Sequence, residues 1–267
     1  MKPADVTASA EVKQCCANLY ESDLAKLLLG DSFHPGGLKL TEHLGQLLRL
    51  GANSRVLDTA SGRGTSAMFL AERFGCEVVG IDFGQQNVKR ANIEAAERGL
   101  SALVRFEQGD AESLSFPDGS FDAVICECAF CTFPEKPRAA RQFAQVLKTG
   151  GRVGISDLTR TTALPQELEG LLAWIACIAD AQPVEKYVDW FSTAGLKPQA
   201  TEAQDEALVE MVRQIQAKLF AAEIMTGLKK IDLPGVDITA AKQMAKAVLD
   251  AIQNRQLGYV IVIAQKP

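Results

Sequence analysis

Three thiols crowd into the six residues Cys126-Glu127-Cys128-Ala129-Phe130-Cys131. Thiolates are nucleophiles and soft-metal ligands, so this C-x-C-x-x-C pattern suits Zn²⁺, an Fe–S cluster or another thiophilic species. A structural zinc site takes four ligands, and here the fourth would have to come from Cys15, Cys16 or Cys177. A second constellation lies upstream in VLDTASGRGTSA, where Asp58 is followed by Ala60-Ser61-Gly62-Arg63-Gly64. Gly62 and Gly64 allow a sharp turn and a close approach of backbone to a ligand. Asp82 stands twenty residues beyond Gly62, where a carboxylate can accept both hydroxyls of a ribose. Asp110 opens a third acidic segment, DAESLSFPDGSFDAV.

These residues need elements to hold them. Ser54–Asp58, Glu77–Asp82, Val104–Gln108, Phe121–Cys126 and Arg152–Asp157 read as strands, and Thr65–Phe74, Gln86–Arg98 and Pro137–Leu147 carry helical periodicity between them. Strand, helix, strand in repetition implies a parallel sheet with helices on both faces. Beyond Asp157 the stretches Gln166–Ala179, Val184–Ala194, Glu202–Leu228 and Thr239–Asn254 read as mainly helical, with Gly195–Lys197 a possible start of a short strand. Leu257–Gln265 restores a strand. The expected fold class is α/β, a doubly wound, mainly parallel seven-stranded sheet with an N-terminal helical segment and a helical insertion before the last strand. Residues 1–50 form the N-terminal segment or lid, 51–163 the α/β core, and 164–267 a cap plus the final strand of the same domain.

Composition narrows the functions available. The 267 residues are 47% apolar and 23% charged, as in a soluble globular chain. A net charge of −5, without a Lys/Arg cluster interleaved with aromatics, argues against nucleic acid as a partner. No apolar run approaches the ~20 residues that span a bilayer, and the N-terminus lacks the basic start and apolar middle of a signal peptide. A cytoplasmic location follows, in which the seven cysteines, an odd number, stay mainly as free thiols. Cys76 and Cys126 read as core.

The glycine turn alone leaves a dinucleotide-binding dehydrogenase open, although position 67, where a third glycine would sit, holds Ala67. The full series does not. Asp58, Asp82, Asp110-Ala111 and Leu147-Lys148-Thr149-Gly150-Gly151-Arg152 resemble, in order and interval, the motifs of class I S-adenosylmethionine-dependent methyltransferases from about Val56 to Asp157. The resemblance implies S-adenosylmethionine as cofactor, with Asp58 and the backbone of Ala60 to Gly64 at its aminocarboxylate end, Asp82 at the ribose and Asp110-Ala111 at the adenine. Phe83, Glu112 and Glu127 complete the implied cofactor set.

A narrower resemblance is to the arsenite methyltransferases, in which cysteine thiolates hold trivalent arsenic while its lone pair attacks the methyl group. Cys128 precedes Phe133-Pro134-Glu135-Lys136 in a register similar to theirs, and Cys177 in AWIACIADA resembles their second core cysteine. The chain departs from them at Cys15 and Cys16, where those proteins usually carry two aromatics. The resemblance implies arsenite at Cys128 and Cys177, help from Cys131, Cys15 or Cys16, and a thiol reductant such as glutathione or thioredoxin as partner. No general base is needed for such a nucleophile, in keeping with the two histidines of the chain.

Two other readings stand beside this one: a small-molecule O-, N- or C-methyltransferase with incidental cysteines, and a thiol-based metal sensor on the same fold. His34 reads as a loop group that could contact substrate but more simply as a hydrogen-bonded surface residue, and His43 reads as structural. Glu127 and Asp157, taken as strand ends, are candidates to orient substrate or to act as base. Trp174, Trp190 and Phe130 are candidates for pocket wall or core.

Overall fold

The computed structural model describes Lys13, residues 34–163, Leu168, Ile178, residues 180–227 and residues 237–267. In chain order the elements are α1 (Gly37–Leu47), β1 (Arg55–Thr59), α2 (Thr65–Phe74), β2 (Glu77–Asp82), α3 (Gln85–Glu97), β3 (Val104–Gln108), β4 (Phe121–Glu127), a 3-10 turn (Phe130–Thr132), α4 (Lys136–Val146), β5 (Leu147–Arg160), α5 (Val184–Thr193), β6 (Lys197–Ala203), α6 (Asp205–Gly227), α7 (Ile238–Gln253) and β7 (Leu257–Gln265). The strands form one sheet in the order β3-β2-β1-β4-β5-β7-β6. The first five strands run parallel, and β7 is antiparallel to both β5 and β6. This is the doubly wound α/β class expected.

The strands read as near-continuous apolar runs because helices cover the sheet. Val56, Leu57, Val78, Val79, Val124 and Ile125 are fully buried. The order of strand addition reverses between β1 and β4, which run parallel and pair through Leu57 and Val124. At such a switch point the loops leaving neighbouring strands part in opposite directions, and a crevice opens beyond their carboxyl ends. The Thr59 hydroxyl donates to the Ile125 carbonyl at 2.9 Å and ties the two strands together below that crevice.

Three expectations need correction. The predicted helix from Glu202 gives up its first residues to β6, whose polar, mainly exposed run Lys197–Ala203 pairs with β7 at the sheet edge. An edge strand with one open side needs little apolar periodicity, which is why its sequence hides it. The helical insertion before the last strand is therefore α6 and α7, between β6 and β7. Finally, β5 continues to Arg160 because β7 pairs with it from Arg152 to Arg160, so Asp157 lies within the strand and not at its end. Of the predicted helix Gln166–Ala179, only Leu168 and Ile178, both buried, lie among the described residues.

Candidate active site

The turn after β1 is built by its glycines. Gly64 has φ +78, and a Cβ there would sit 2.3 Å from the Phe106 ring; one at Gly80 would meet the same ring at 2.3 Å. The two glycines thus make room for Phe106, which packs beneath the turn. Ser61 N–H donates to the Ile81 carbonyl, Gly64 N–H to the Ser61 carbonyl and Gly62 N–H to Asp82 Oδ2 at 2.8 Å. The Ser61 and Gly62 N–H groups hold the turn against β2, and that of Gly64 closes the turn on itself. Ala67, at the position of a third dinucleotide glycine, is a fully buried core residue.

Above the strand ends lies a cleft open to solvent. Ala60, Gly62, Asp82, Phe83, Asp110, Ala111 and Glu127 all line it, as does Cys128. Lys13, Asn87, Gly109, Ala129, Thr132 and Phe133 complete the wall. Asp82 is fixed by Gly62 N–H, by Gly84 N–H at 2.8 Å and by the Asn87 amide at 3.3 Å. Asn87 was missed in the sequence, although its place at the start of α3, five residues after the strand-end acid, is a readable signal.

Asp58 lies behind this wall, 3% exposed, and its Oδ2 has no hydrogen-bond partner. Burial pushes its carboxyl well above the usual range, and the charges of Glu127 and Asp82 push in the same direction. Ser61 Oγ and Asn87 Oδ1 are likewise buried without a hydrogen-bond partner. A buried carboxylate oxygen with two acids nearby is a group that a cation would relieve.

Glu127, at the end of β4, is held by a contact that only the tertiary fold creates. The Thr41 hydroxyl of α1 lies 3.1 and 3.2 Å from its two carboxylate oxygens. His34 Nε2 lies 3.5 Å from Glu127 Oε2, 3.3 Å from Thr41 Oγ1 and 3.4 Å from Ser66 Oγ. Nδ1 of the same ring lies 3.2 Å from the Pro35 carbonyl. His34 is 6% exposed, which corrects its reading as a surface group. His43 is partly exposed and pairs with Glu202 at 2.6 Å, on the outside of the fold.

The thiols part company. Cys128 lines the cleft in the left-handed region, φ +52, with its N–H donating to the Ser156 carbonyl at 2.7 Å. Ala60, across the cleft, has φ +56. Two non-glycine residues held in this sparsely populated region mark the cleft as a place where the fold overrides local preference. Cys131 is fully buried and is not among the residues that line the cleft; its N–H donates to Asp157 Oδ2 at 2.8 Å. Asp157 Oδ1 accepts the Leu158 N–H, so this wholly buried acid anchors the 3-10 turn and does not face substrate. Cys126 is core, its thiol pushed well up chiefly by burial, and the Cys76 thiol is pushed up to about 11 by burial. Cys15, Cys16, Cys177 and Trp174 lie outside the described residues. Among the described residues no three His, Cys, Asp or Glu groups converge to hold a metal ion.

Aromatic residues near the turn pack as core. Phe130 is fully buried, with Phe133, Phe143, Tyr187, Trp190 and Phe191 at centroid distances of 5.5–6.1 Å. Only Phe133 of this cluster lines the cleft. Lys136 binds the Phe133 carbonyl at 3.0 Å and pairs with Asp180, which fixes the loop that carries Thr132 and Phe133.

Comparison with known proteins agrees with this geometry. A family model described as a methyltransferase domain matches residues 50–216. The chain is 28% identical over 261 residues to 27-O-demethylrifamycin SV methyltransferase of Amycolatopsis mediterranei (strain S699), covering 92% of this chain and 94% of that one. It is 26% identical to the methyltransferase GfsG of Streptomyces halstedii, over 89% of this chain and 83% of the relative. Among solved structures, the [4+2]-cyclase SpnF superposes with a TM-score of 0.76 at 26% identity, covering 96% of each chain. A putative sarcosine dimethylglycine methyltransferase from Galdieria sulphuraria superposes with a TM-score of 0.80 at 19% identity, over 92% of this chain and 98% of that one. By the family match, the strand order and the strand-end cleft together, the chain belongs to the methyltransferase-domain family, on the fold of the class I S-adenosylmethionine-dependent enzymes.

Proposed function

We propose that this chain transfers a methyl group from S-adenosylmethionine to a small organic molecule that enters the cleft beside Cys128, Ala129, Thr132 and Phe133. The observation that carries this reading is the run of carboxylates Asp82, Asp110 and Glu127 at successive strand ends around one cleft, backed by the unpartnered oxygen of Asp58. These groups fit the cofactor. Asp82, steadied by Asn87, would take the ribose hydroxyls, Asp110 and Ala111 the adenine, and Asp58 with Glu127 the cationic amino end, while Phe83 packs alongside. Ala60, Ser61, Gly62 and Gly64 shape the turn they rest on, and Glu112 braces Asp110. Bound there, S-adenosylmethionine supplies an electrophilic methyl group.

The residues of the chain do the rest by position. Thr132, Cys128 and Phe133 offer a mixed polar and apolar wall that holds a nucleophile in line, and such alignment contributes several kcal/mol, on the order of 7–11 in favourable cases. Glu127 is placed to accept a proton from a hydroxyl or amine, with His34 behind it. Incubation with labelled S-adenosylmethionine and a panel of small hydroxy, amino and enolic acceptors tests the reading. Turnover of an acceptor supports it. Release of no S-adenosylhomocysteine with any acceptor, despite tight cofactor binding, overturns it.

A second reading has one specific observation in its favour, the Cys128 thiol on the cleft wall in a strained backbone conformation. Arsenite would be held by Cys128 and Cys177, with Cys15 or Cys16 as a third thiolate and with glutathione or thioredoxin restoring the thiols in a reducing cytoplasm. Cys131, being buried, does not support it. Arsenite methylation by the wild type that is lost in Cys128→Ser, with S-adenosylhomocysteine binding intact, would establish it. Arsenite turnover absent in the wild type would remove it.

A further inference from the structure

Lys13 stands on the wall of the cleft, with its ammonium between two acids of the segment after β3. Its Nζ lies 2.8 Å from Asp110 Oδ2 and also pairs with Glu112 Oε2. The Lys13 side chain is 14% exposed and that of Glu112 4%. Each acid has its other oxygen on a backbone N–H: Asp110 Oδ1 accepts from Glu112 N at 2.9 Å, and Glu112 Oε1 accepts from Glu135 N at the start of α4. One cation therefore serves two carboxylates that have no second ammonium or guanidinium partner among the ion pairs of the described residues.

Two carboxylates within reach of a single ammonium are close enough to repel, and without the cation that repulsion would push the Asp110 side chain away from Glu112. Displaced in that way, Asp110 would lose its aim as an acceptor toward the cleft. Burial by itself would lower the ammonium's pKa, but the two acids outweigh it and hold Lys13 above its ordinary value. Lys13 thus stays charged.

We propose that Lys13 is a specificity-determining positioning residue of the cofactor site: by pairing with Asp110 and Glu112 together it offsets their repulsion and holds the Asp110 carboxylate where it accepts from the exocyclic amine of adenine. The inference rests on the assignment of Asp110 to the adenine. A purine bearing a carbonyl oxygen in place of that amine would present acceptor to acceptor and be rejected.

Calorimetric titration with S-adenosylhomocysteine and with S-inosylhomocysteine, which differ at that one group, tests it. Wild-type protein prefers the adenine compound by about tenfold or more, the worth of one charge-assisted hydrogen bond. Lys13→Met raises the Kd of S-adenosylhomocysteine about tenfold and reduces the preference to about threefold or less, whereas Lys13→Arg keeps both. Removal of the repelling charge in Lys13→Met/Glu112→Gln restores most of the preference, a rescue that a merely structural lysine would not give. Lys13→Gln replaces Lys13→Met should the latter not fold, as judged by circular dichroism.

An unchanged Kd and preference in Lys13→Met overturns the proposal, and so does a weakened Kd that the Glu112→Gln change fails to rescue. Asp110→Asn reports separately on the underlying assignment. If it leaves the preference intact while Lys13→Met abolishes it, Asp110 is not the reader of the amine, and the proposal falls with that assignment.

Discussion

At the scale of single residues, Asp58 combines a folding cost with a binding use. Its carboxyl is held well above the ordinary range by burial first and by Glu127 and Asp82 next. A raised folded-state pKa means that this group's contribution to stability is full below the ordinary carboxylate value of about 4 and is lost as pH rises through the folded value. Asp58→Asn should therefore raise the stability of the cofactor-free protein by about 1 kcal/mol at neutral pH and flatten its loss between pH 5 and 8, in the manner of other stability–function trade-offs. Thermal unfolding at the two pH values reads the first effect, and a weaker Kd for S-adenosylhomocysteine by calorimetry reads the second. Equal stability of variant and wild type at both pH values would show that Asp58 carries no such cost. Glycines make a second contrast. Gly64→Ala forces a Cβ to 2.3 Å from Phe106 at φ +78, whereas at Gly62 nothing lies within 4 Å. Denaturant unfolding should find a loss of about 2–4 kcal/mol for the first and about 1 kcal/mol, from backbone conformation alone, for the second. The need for glycine was legible at both positions. That Phe106 is what makes Gly64 indispensable was not, because Phe106 lies forty-two residues away on another strand.

At the scale of elements, the turn Phe130–Thr132 depends on a side chain of β5. Asp157, inside that strand, accepts the Cys131 N–H at 2.8 Å, and it is fully buried. Asp157→Ala leaves that N–H unsatisfied and should cost about 1–3 kcal/mol of stability. Hydrogen exchange should show faster exchange at Ala129 to Phe133 while the Kd of S-adenosylhomocysteine stays within about twofold, since Asp82 and Asp110 stand on other strands. Unaltered exchange in that loop would mean that the turn is held by its aromatic packing instead. The strands β2 and β7 were readable to the residue from their apolar runs, because both of their faces are covered, and β3 was readable from the alternation of Val104 and Phe106 with polar residues. β6 was not. Its one-sided, polar edge position makes its pattern resemble the start of the helix that follows it.

At the scale of the whole molecule, the cleft gathers groups from separate loops beyond the strand ends, and a ligand that spans them binds only the folded chain. S-adenosylhomocysteine at a hundred times its Kd should therefore stabilise the fold by about 2.7 kcal/mol and raise Tm by about 5–10 °C. A ligand-independent Tm in a thermal scan would count against the cleft as the cofactor site. The sequence by itself determined the fold class, the order of the acidic motifs and their place at strand ends, because these depend on local periodicity and on spacing along the chain. Only the tertiary structure decided which side chains face one another. It turned Cys131 into the core and left Cys128 on the wall, brought Thr41 and His34 onto Glu127, and set Lys13 between Asp110 and Glu112, ninety-seven residues from the first. Such contacts arise from how the ends of distant elements pack above a switch point in the sheet, and no pattern within either segment records them.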